Sequence, residues 1–198
     1  MTDVMLPDVT AQKTALRNAT LARRDAMPAP ERMAAAEILA TRPLPVAVPK
    51  GAIVSGFFPM RSEINPLPLM RRLAGEGAQL ALPVIAGRGK PLTIRAWSTG
   101  DELASGQWGI REPKSDASEV DPDIMIVPLA CFDRAGHRIG YGAGYFDMTI
   151  HRARSRKPVV TLGVAFALQE IDRVPATDHD EQLDFVLTER EVIDFRKR

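Results

Sequence analysis

The sequence predicts a three-layer α/β/α fold with a mostly parallel central sheet and an N-terminal helical segment. Three observations carry that reading. Short apolar runs bounded by Gly and Pro alternate with stretches of helical period, the pattern of a sheet covered on both faces. The first 45 residues hold helix formers punctuated by prolines, without a strand pattern. A glycine-rich loop directly follows one apolar run, and in open α/β sheets ligands bind beyond the carboxyl ends of strands.

Taken in order, Thr10 can cap a helix that runs to about Met27, where Pro28 and Pro30 stop it. A second, alanine-rich helix spans Glu31 to about Ala40, and Pro43, Pro45 and Pro49 form an extended connector. Residues 52–58 read as a buried strand and residues 66–75 as a helix with Leu67, Met70 and Leu73 on one face. Residues 79–84 form a second strand, and the alternating residues 92–97 suit an edge strand. Residues 98–121 lack periodicity and read as a surface excursion. Ile124 to Val127 is a short, wholly apolar strand ending at Pro128. After the glycine-rich loop come a helix from about Gly144 to Arg156, a buried strand at 159–165, and last strands at 185–188 and 192–195. The chain is read as a single domain, 1–198, with residues 1–45 packed on it.

Composition narrows the function. With 198 residues, 45% hydrophobic and 26% charged, the chain has the balance of a soluble globular protein able to bury a core. A net charge of +1 gives no global attraction to nucleic acid or an anionic membrane, so any phosphate site must be local. The single cysteine, Cys131, excludes an internal disulfide and a cysteine-rich metal centre, and reads as a small buried hydrophobe. Residues 1–10 carry Asp3 and Asp8 and no long apolar run, unlike a secretory signal, and no stretch has the length of a membrane span. The expectation is a cytoplasmic monomer acting on small molecules, with no nucleic-acid or membrane partner.

The chemistry concentrates in Arg138-Ile139-Gly140-Tyr141-Gly142-Ala143-Gly144-Tyr145-Phe146-Asp147. Alternating glycines permit positive φ and close backbone approach, so successive N–H groups can converge on a phosphate. The helix starting near Gly144 adds its positive dipole end. Arg138 can supply a full charge at the mouth, and Asp147 could hold Mg²⁺. The spacing matches neither a dinucleotide fingerprint nor a P-loop, and read alone it is equally a flexible turn before a helix.

Val127-Pro128, Phe132-Asp133, Gly136 and the run 138–147 closely resemble the signature of 5-formyltetrahydrofolate cyclo-ligases (5,10-methenyltetrahydrofolate synthetases), roughly V-P-G-x-x-F-D-x-x-G-x-R-L-G-x-G-x-G-Y-Y-D. The likeness extends to Lys13 and Arg17, Glu63, Gly109-Ile110-x-Glu112-Pro113 and His179-Asp180-x-x-x-Asp184. Lys13 and Arg17, four apart on one helix face, could be a solvated basic face; the resemblance assigns both to ATP, together with residues 138–146. It assigns Arg138 and Tyr145 to the catalytic set, and Asp147 with Asp180 to Mg²⁺. Phe58 and Glu63 are implied in the folate site along with residues 141–145. A carboxylate suits the N–H donors of a pterin, and Phe58 and Met60 could pack on its ring. Trp108 is a candidate to stack on folate, whereas Trp97 reads as core. Arg23, Arg24, His137 and His151 read as surface, and His179 as a possible acid or base.

The resemblance implies ATP-dependent closure of 5-formyltetrahydrofolate. The formyl oxygen is phosphorylated, N10 attacks, and phosphate departs to give 5,10-methenyltetrahydrofolate, with ADP as the other product. Ile139 and Phe146 replace the usual leucine and tyrosine, and residues 84–107 and 148–157 match poorly. Three alternatives stay open: a paralogue acting on another small substrate such as a thiamine-related one, a non-catalytic nucleotide-binding module, and a sugar-phosphate isomerase or CoA-transferase-like enzyme without ATP.

Overall fold

A computed structural model describes residues 8–196. Residues 1–7, within the predicted N-terminal segment, lie outside the described residues. The chain runs α1 (Val9–Asp25), α2 (Ala29–Thr41), β1 (Ile53–Ser55), α3 (Leu67–Gly75), β2 (Gln79–Val84), β3 (Thr93–Ala96), β4 (Leu103–Ser105), β5 (Arg111–Pro113), β6 (Ile124–Val127), β7 (Cys131–Phe132), β8 (Arg138–Ile139), α4 (Tyr145–Arg156), β9 (Val160–Val164), β10 (Phe185–Leu187) and β11 (Val192–Asp194). The predicted three-layer α/β arrangement with N-terminal helices is present.

Seven strands form the main sheet in the order β11-β10-β9-β6-β1-β2-β3. The five central strands are parallel, and the two edge strands β3 and β11 run antiparallel to them. The central strands are short and apolar because both faces are covered. In β6, Ile124 and Ile126 point to the face packed by Ala35, Ala36 and Leu39 of α2 and Leu69, Met70 and Leu73 of α3. Met125 and Val127 point to the other face, where Ile150 of α4 closes the core. This two-residue alternation divides one strand between two cores.

The β1–α3–β2 crossover moves one way along the sheet and β6–α4–β9 moves the other. Crossovers of one hand moving in opposite directions set their helices on opposite faces, as α3 and α4 are. The direction reverses between β1 and β6, so a crevice opens beyond their carboxyl ends. Residues after β1 and β6 therefore share one site.

Several expectations are corrected. Asp8, not Thr10, stands at the cap of α1, and Thr10 lies in the first turn with its carbonyl accepting from Thr14 Oγ1. Residues 98–121 are not irregular throughout: β4 and β5 pair antiparallel around a 3₁₀ turn at Gln107–Gly109. Three-residue strands are too short to show a period, so their pairing was not readable. Trp97 is core as expected. No helix among the described residues is long and apolar enough to cross a membrane.

Candidate active site

Two-residue strands β7 and β8 make a hairpin that carries the chain from β6 to the glycine-rich loop. Buried Asp133 shapes it: Oδ1 accepts the N–H groups of Ala135 and His137, and Oδ2 accepts that of Val174. Gln169, also buried, donates to the carbonyls of Leu129 and Ala130 and fixes the exit from β6. The loop then rises into solvent, with residues 141–144 exposed. Gly142 has φ 99° and Gly144 φ 67°, conformations that cost a side-chain-bearing residue strain. Gly144 is the N-cap of α4, and no side chain caps that end. The first-turn N–H groups have no intrahelical acceptors and can receive an anion.

Helix α1 lies along this loop. Lys13, Arg17, Thr20 and Arg24 recur at offsets of four, three and four residues, which puts them on one helix face. Lys13 Nζ bonds both oxygens of Asp180, at 2.7 and 2.5 Å. Arg17 Nε donates to the carbonyl of Gly140 at 2.9 Å, and its guanidinium lies where a Cβ on Gly142 would meet it at 3.4 Å. Arg24 Nη1 donates to the Tyr141 hydroxyl at 2.6 Å, and Nε to Ser62 Oγ at 3.0 Å. Arg24 is 3% exposed, which corrects its reading as a surface residue. The signal in the sequence was its spacing of eleven residues, three turns, from Lys13.

Arg138 is likewise corrected: it is buried behind the loop, not at its mouth. The hairpin turns it inward, where Nη1 donates to the Glu181 carbonyl at 2.6 Å and Nη2 to Asp147 Oδ1 at 3.0 Å. Burial pushes its pKa down against the pull of Asp147, yet a guanidinium stays charged. Asp147 Oδ1 also accepts the Glu181 N–H. Asp180 lies in the field of the same guanidinium. Burial raises the Asp180 pKa, but the bonds from Lys13 and Thr177 outweigh it and hold the carboxyl below its usual range. The two predicted metal carboxylates thus flank one buried cation, and Asp180 is occupied by Lys13.

At the Arg24 end of the same α1 face, Glu63 follows β1 and meets the loop at Tyr141. Its Oε2 accepts the Met60 N–H at 2.7 Å. Burial pushes its pKa up, and the Tyr141 hydroxyl, the Met60 N–H and the charge of Arg24 offset only part of that. Glu63 lines a narrow crevice with Arg24, Phe57, Ile64, Pro128, Leu129, Val164 and Gln169, beyond the ends of β1, β6 and β9. Tyr141 is 47% exposed, while its hydroxyl reaches inward to this network.

The β4–β5 hairpin supplies the far wall. Arg111 places its guanidinium 5.9 Å from the Phe58 ring centre. Trp108 is 69% exposed at φ 56°, and its ring centre lies 6.4 Å from that of Tyr145 at a tilt of 48°. An exposed tryptophan in a left-handed conformation is unusual and leaves its ring face open. Tyr145 and Phe146 pack partly against Ala81, Leu92 and Ile94. Ile139 is core beside Cys131, Val174 and Leu16. Ala143 is exposed within the loop.

Among the histidines, His137 is half-buried at the surface, in hydrogen-bond contact with Gln182 through Nε2. His151 is exposed beside Glu181, and His179 is exposed. Cys131 is fully buried, and burial raises its thiol pKa to about 11.

The sequence model of the 5-formyltetrahydrofolate cyclo-ligase family matches residues 9–189. A Mycolicibacterium smegmatis protein named 5-formyltetrahydrofolate cyclo-ligase is 32% identical over 184 residues, covering 89% of this chain and 93% of that one. The Escherichia coli K12 protein of the same name is 31% identical over 147 residues, 70% of this chain and 79% of its own. Among solved structures, the 5,10-methenyltetrahydrofolate synthetase of Aquifex aeolicus superposes with a TM-score of 0.77 at 27% identity, covering 93% of both chains.

Proposed function

The chain belongs to the 5-formyltetrahydrofolate cyclo-ligase family and is a ligase of folate one-carbon metabolism, and on that premise we propose that it uses Mg-ATP to convert 5-formyltetrahydrofolate to 5,10-methenyltetrahydrofolate. One observation carries the reading. The glycine loop 140–144 meets α1 at two points: Arg17 at the Gly140 carbonyl, one turn from the Lys13–Asp180 pair, gives one flank, and Arg24 with the Glu63 network at the Tyr141 hydroxyl gives the other. A phosphate on the first flank and a pterin on the second would meet across the loop.

The nucleotide phosphates bind at the open first turn of α4, where Gly142 and Gly144 allow close approach. Arg17 lies on the loop and turns its guanidinium to them, and Lys13 exchanges Asp180 for a phosphate oxygen. Arg138 acts from behind, holding Asp147 through Oδ1 and adding positive potential below the transferring group. Ile139 to Phe146 supply the backbone of the phosphate wall, with Tyr145 facing the reacting centre.

Magnesium fits this donor set as a nucleotide-bound ion. No group of three or more His, Cys, Asp or Glu residues able to cage a metal occurs among the described residues. Mg²⁺ needs only one or two carboxylates when phosphates supply the other oxygens. Among the described residues Asp147 accepts through Oδ1 alone, leaving Oδ2 for a cation, and Asp180 becomes available as Lys13 turns away. The ion supplies charge neutralisation on the polyphosphate.

On the second flank the Glu63 carboxylate accepts pterin N–H donors, Phe58 packs on the ring, and Trp108 covers it beside Tyr145. The formyl group lies over residues 141–145, with its oxygen toward the γ-phosphate. Phosphoryl transfer to that oxygen releases ADP and makes the carbon electrophilic. N10 attacks it and loses its proton, and the C–O bond breaks to expel phosphate. Orientation and charge stabilisation do this work, without a protein nucleophile. The family match over residues 9–189 supports reading 1–198 as a single unit, and the unit acts in this proposal as a cytoplasmic monomer.

The experiment mixes purified protein with 5-formyltetrahydrofolate and Mg-ATP and follows methenyl-folate absorbance. Product formed with one ADP per turnover is expected. Folded protein that binds ATP without forming product would overturn the proposal in favour of a nucleotide-binding module.

A further inference from the structure

Arg24 is a buried cation with no carboxylate bonded to it among the described residues. Its hydrogen bonds go to two hydroxyls, Ser62 Oγ and Tyr141 Oη, and Ser62 in turn donates to Asp25. A buried charge without a direct counter-ion is unfavourable, and arrangements that keep one are candidates for a role in function. The direction of the bonds suggests which. A guanidinium only donates, so Arg24 occupies a lone pair of Tyr141 Oη, and the tyrosine must spend its own proton elsewhere. The Glu63 carboxylate is the acceptor that faces it. The chain of donors therefore runs in one direction, from α1 through the loop tyrosine to the carboxylate after β1.

We propose that Arg24 is a positioning residue for substrate recognition: it holds the Tyr141 hydroxyl as a donor toward Glu63, keeping Glu63 an aimed, ionised acceptor for the N–H groups of the substrate ring. The inference rests on the folate-side reading of Glu63. The charged and titratable groups facing Glu63 are Arg24 from α1 and Tyr141 from the loop, with Asp25 reached through Ser62. The other residues of the crevice, Phe57, Ile64, Pro128, Leu129, Val164 and Gln169, are uncharged. Burial already raises the Glu63 pKa, and Arg24 is one of the groups that restrain it. Removing Arg24 lifts it further, so Glu63 protonates at a higher pH and stops accepting.

The test compares wild type with Arg24→Gln, Arg24→Lys and Tyr141→Phe, measuring kcat and KM for each substrate across the acid and neutral range. In Arg24→Gln the acid limb of kcat/KM for the folate moves to higher pH, while the KM for ATP changes by less than about twofold. Arg24→Lys recovers part of the shift, and Tyr141→Phe moves the limb the same way. A purely architectural Arg24 lowers Tm and leaves the limb in place. If Arg24→Gln does not fold, Tyr141→Phe, which removes one oxygen, decides. The Glu63 carboxyl titration, followed by carbon NMR in the free protein, gives the same answer without turnover. A titration that rises in the variants supports the inference, and one that stays with wild type overturns it. Wild type without methenyl product would instead count against the proposed reaction.

Discussion

Replacing Arg138 by Met tests whether that arginine holds the site from behind or touches phosphate directly. The substitution removes two charge-assisted bonds, at 2.6 Å to the Glu181 carbonyl and 3.0 Å to Asp147 Oδ1. Such bonds contribute about 1.5–3 kcal/mol each when a partner is left unpaired. The Asp147 side chain is 27% exposed, so water recovers part of its share. Removing the buried cation also relieves its desolvation, which favours the variant. The net loss is about 2.5 kcal/mol. At roughly 2.1 cal/mol/K of unfolding entropy per residue, 198 residues give about 0.4 kcal/mol/K, so Tm falls by about 6 °C. Thermal unfolding by circular dichroism without nucleotide reads that shift, and calorimetry reads ATP affinity separately. A fall under about 2 °C, with ATP affinity lost, would refute the buried-support reasoning and return Arg138 to the mouth of the loop.

Three further outcomes follow from the same geometry. Arg17→Ala should raise the KM for ATP about tenfold, the loss of one charge-assisted phosphate contact, and an unchanged KM would make Arg17 a structural tie to Gly140 alone. Asp147→Asn should weaken the response of the rate to magnesium while leaving the folate KM close to wild type, and an unaltered magnesium titration would remove Asp147 from the metal role. Cys131, with its thiol pKa raised to about 11, has only about one thiolate in a thousand at pH 8, and that fraction grows as pH rises toward the raised value. Alkylation at pH 8, read by mass spectrometry, should spare Cys131 in the native protein and reach it after denaturation; rapid native labelling would contradict its burial.

How far the sequence could be read depended on element length and on direction. Gln79–Val84 and Ile124–Val127 emerged with the ends that the fold gives them, because each is a strongly apolar run with a breaker near one end, Gly77 before the first and Pro128 after the second. The β4–β5 and β7–β8 hairpins did not, since two or three residues carry no period and exist only through pairing. That blind spot explains Arg138. Without the β7–β8 hairpin, an arginine before a glycine loop reads as a charge at its mouth. Arg24 was missed for a different reason. Hydrophobic periodicity treats a cationic stripe as solvent-facing, yet Lys13, Arg17, Thr20 and Arg24 form the face that α1 turns to the loop. The glycines and Asp147 were singled out by the loop pattern, and Glu63, Phe58 and Asp180 by resemblance; the fold sets Glu63 beside Tyr141 and Asp180 on Lys13, while Phe58 lies under Arg111. The Lys13–Asp180 pair was not foreseen, because 167 residues separate its members.

If the loop joins nucleotide to folate by phosphorylating the formyl oxygen, that oxygen must leave with the phosphate. Substrate carrying a heavy oxygen isotope in the formyl group, turned over with unlabelled Mg-ATP in ordinary water, tests it directly. The heavy atom should leave in the released phosphate, one per methenyl-folate formed. Recovery of that atom in water, with unlabelled phosphate, would contradict it.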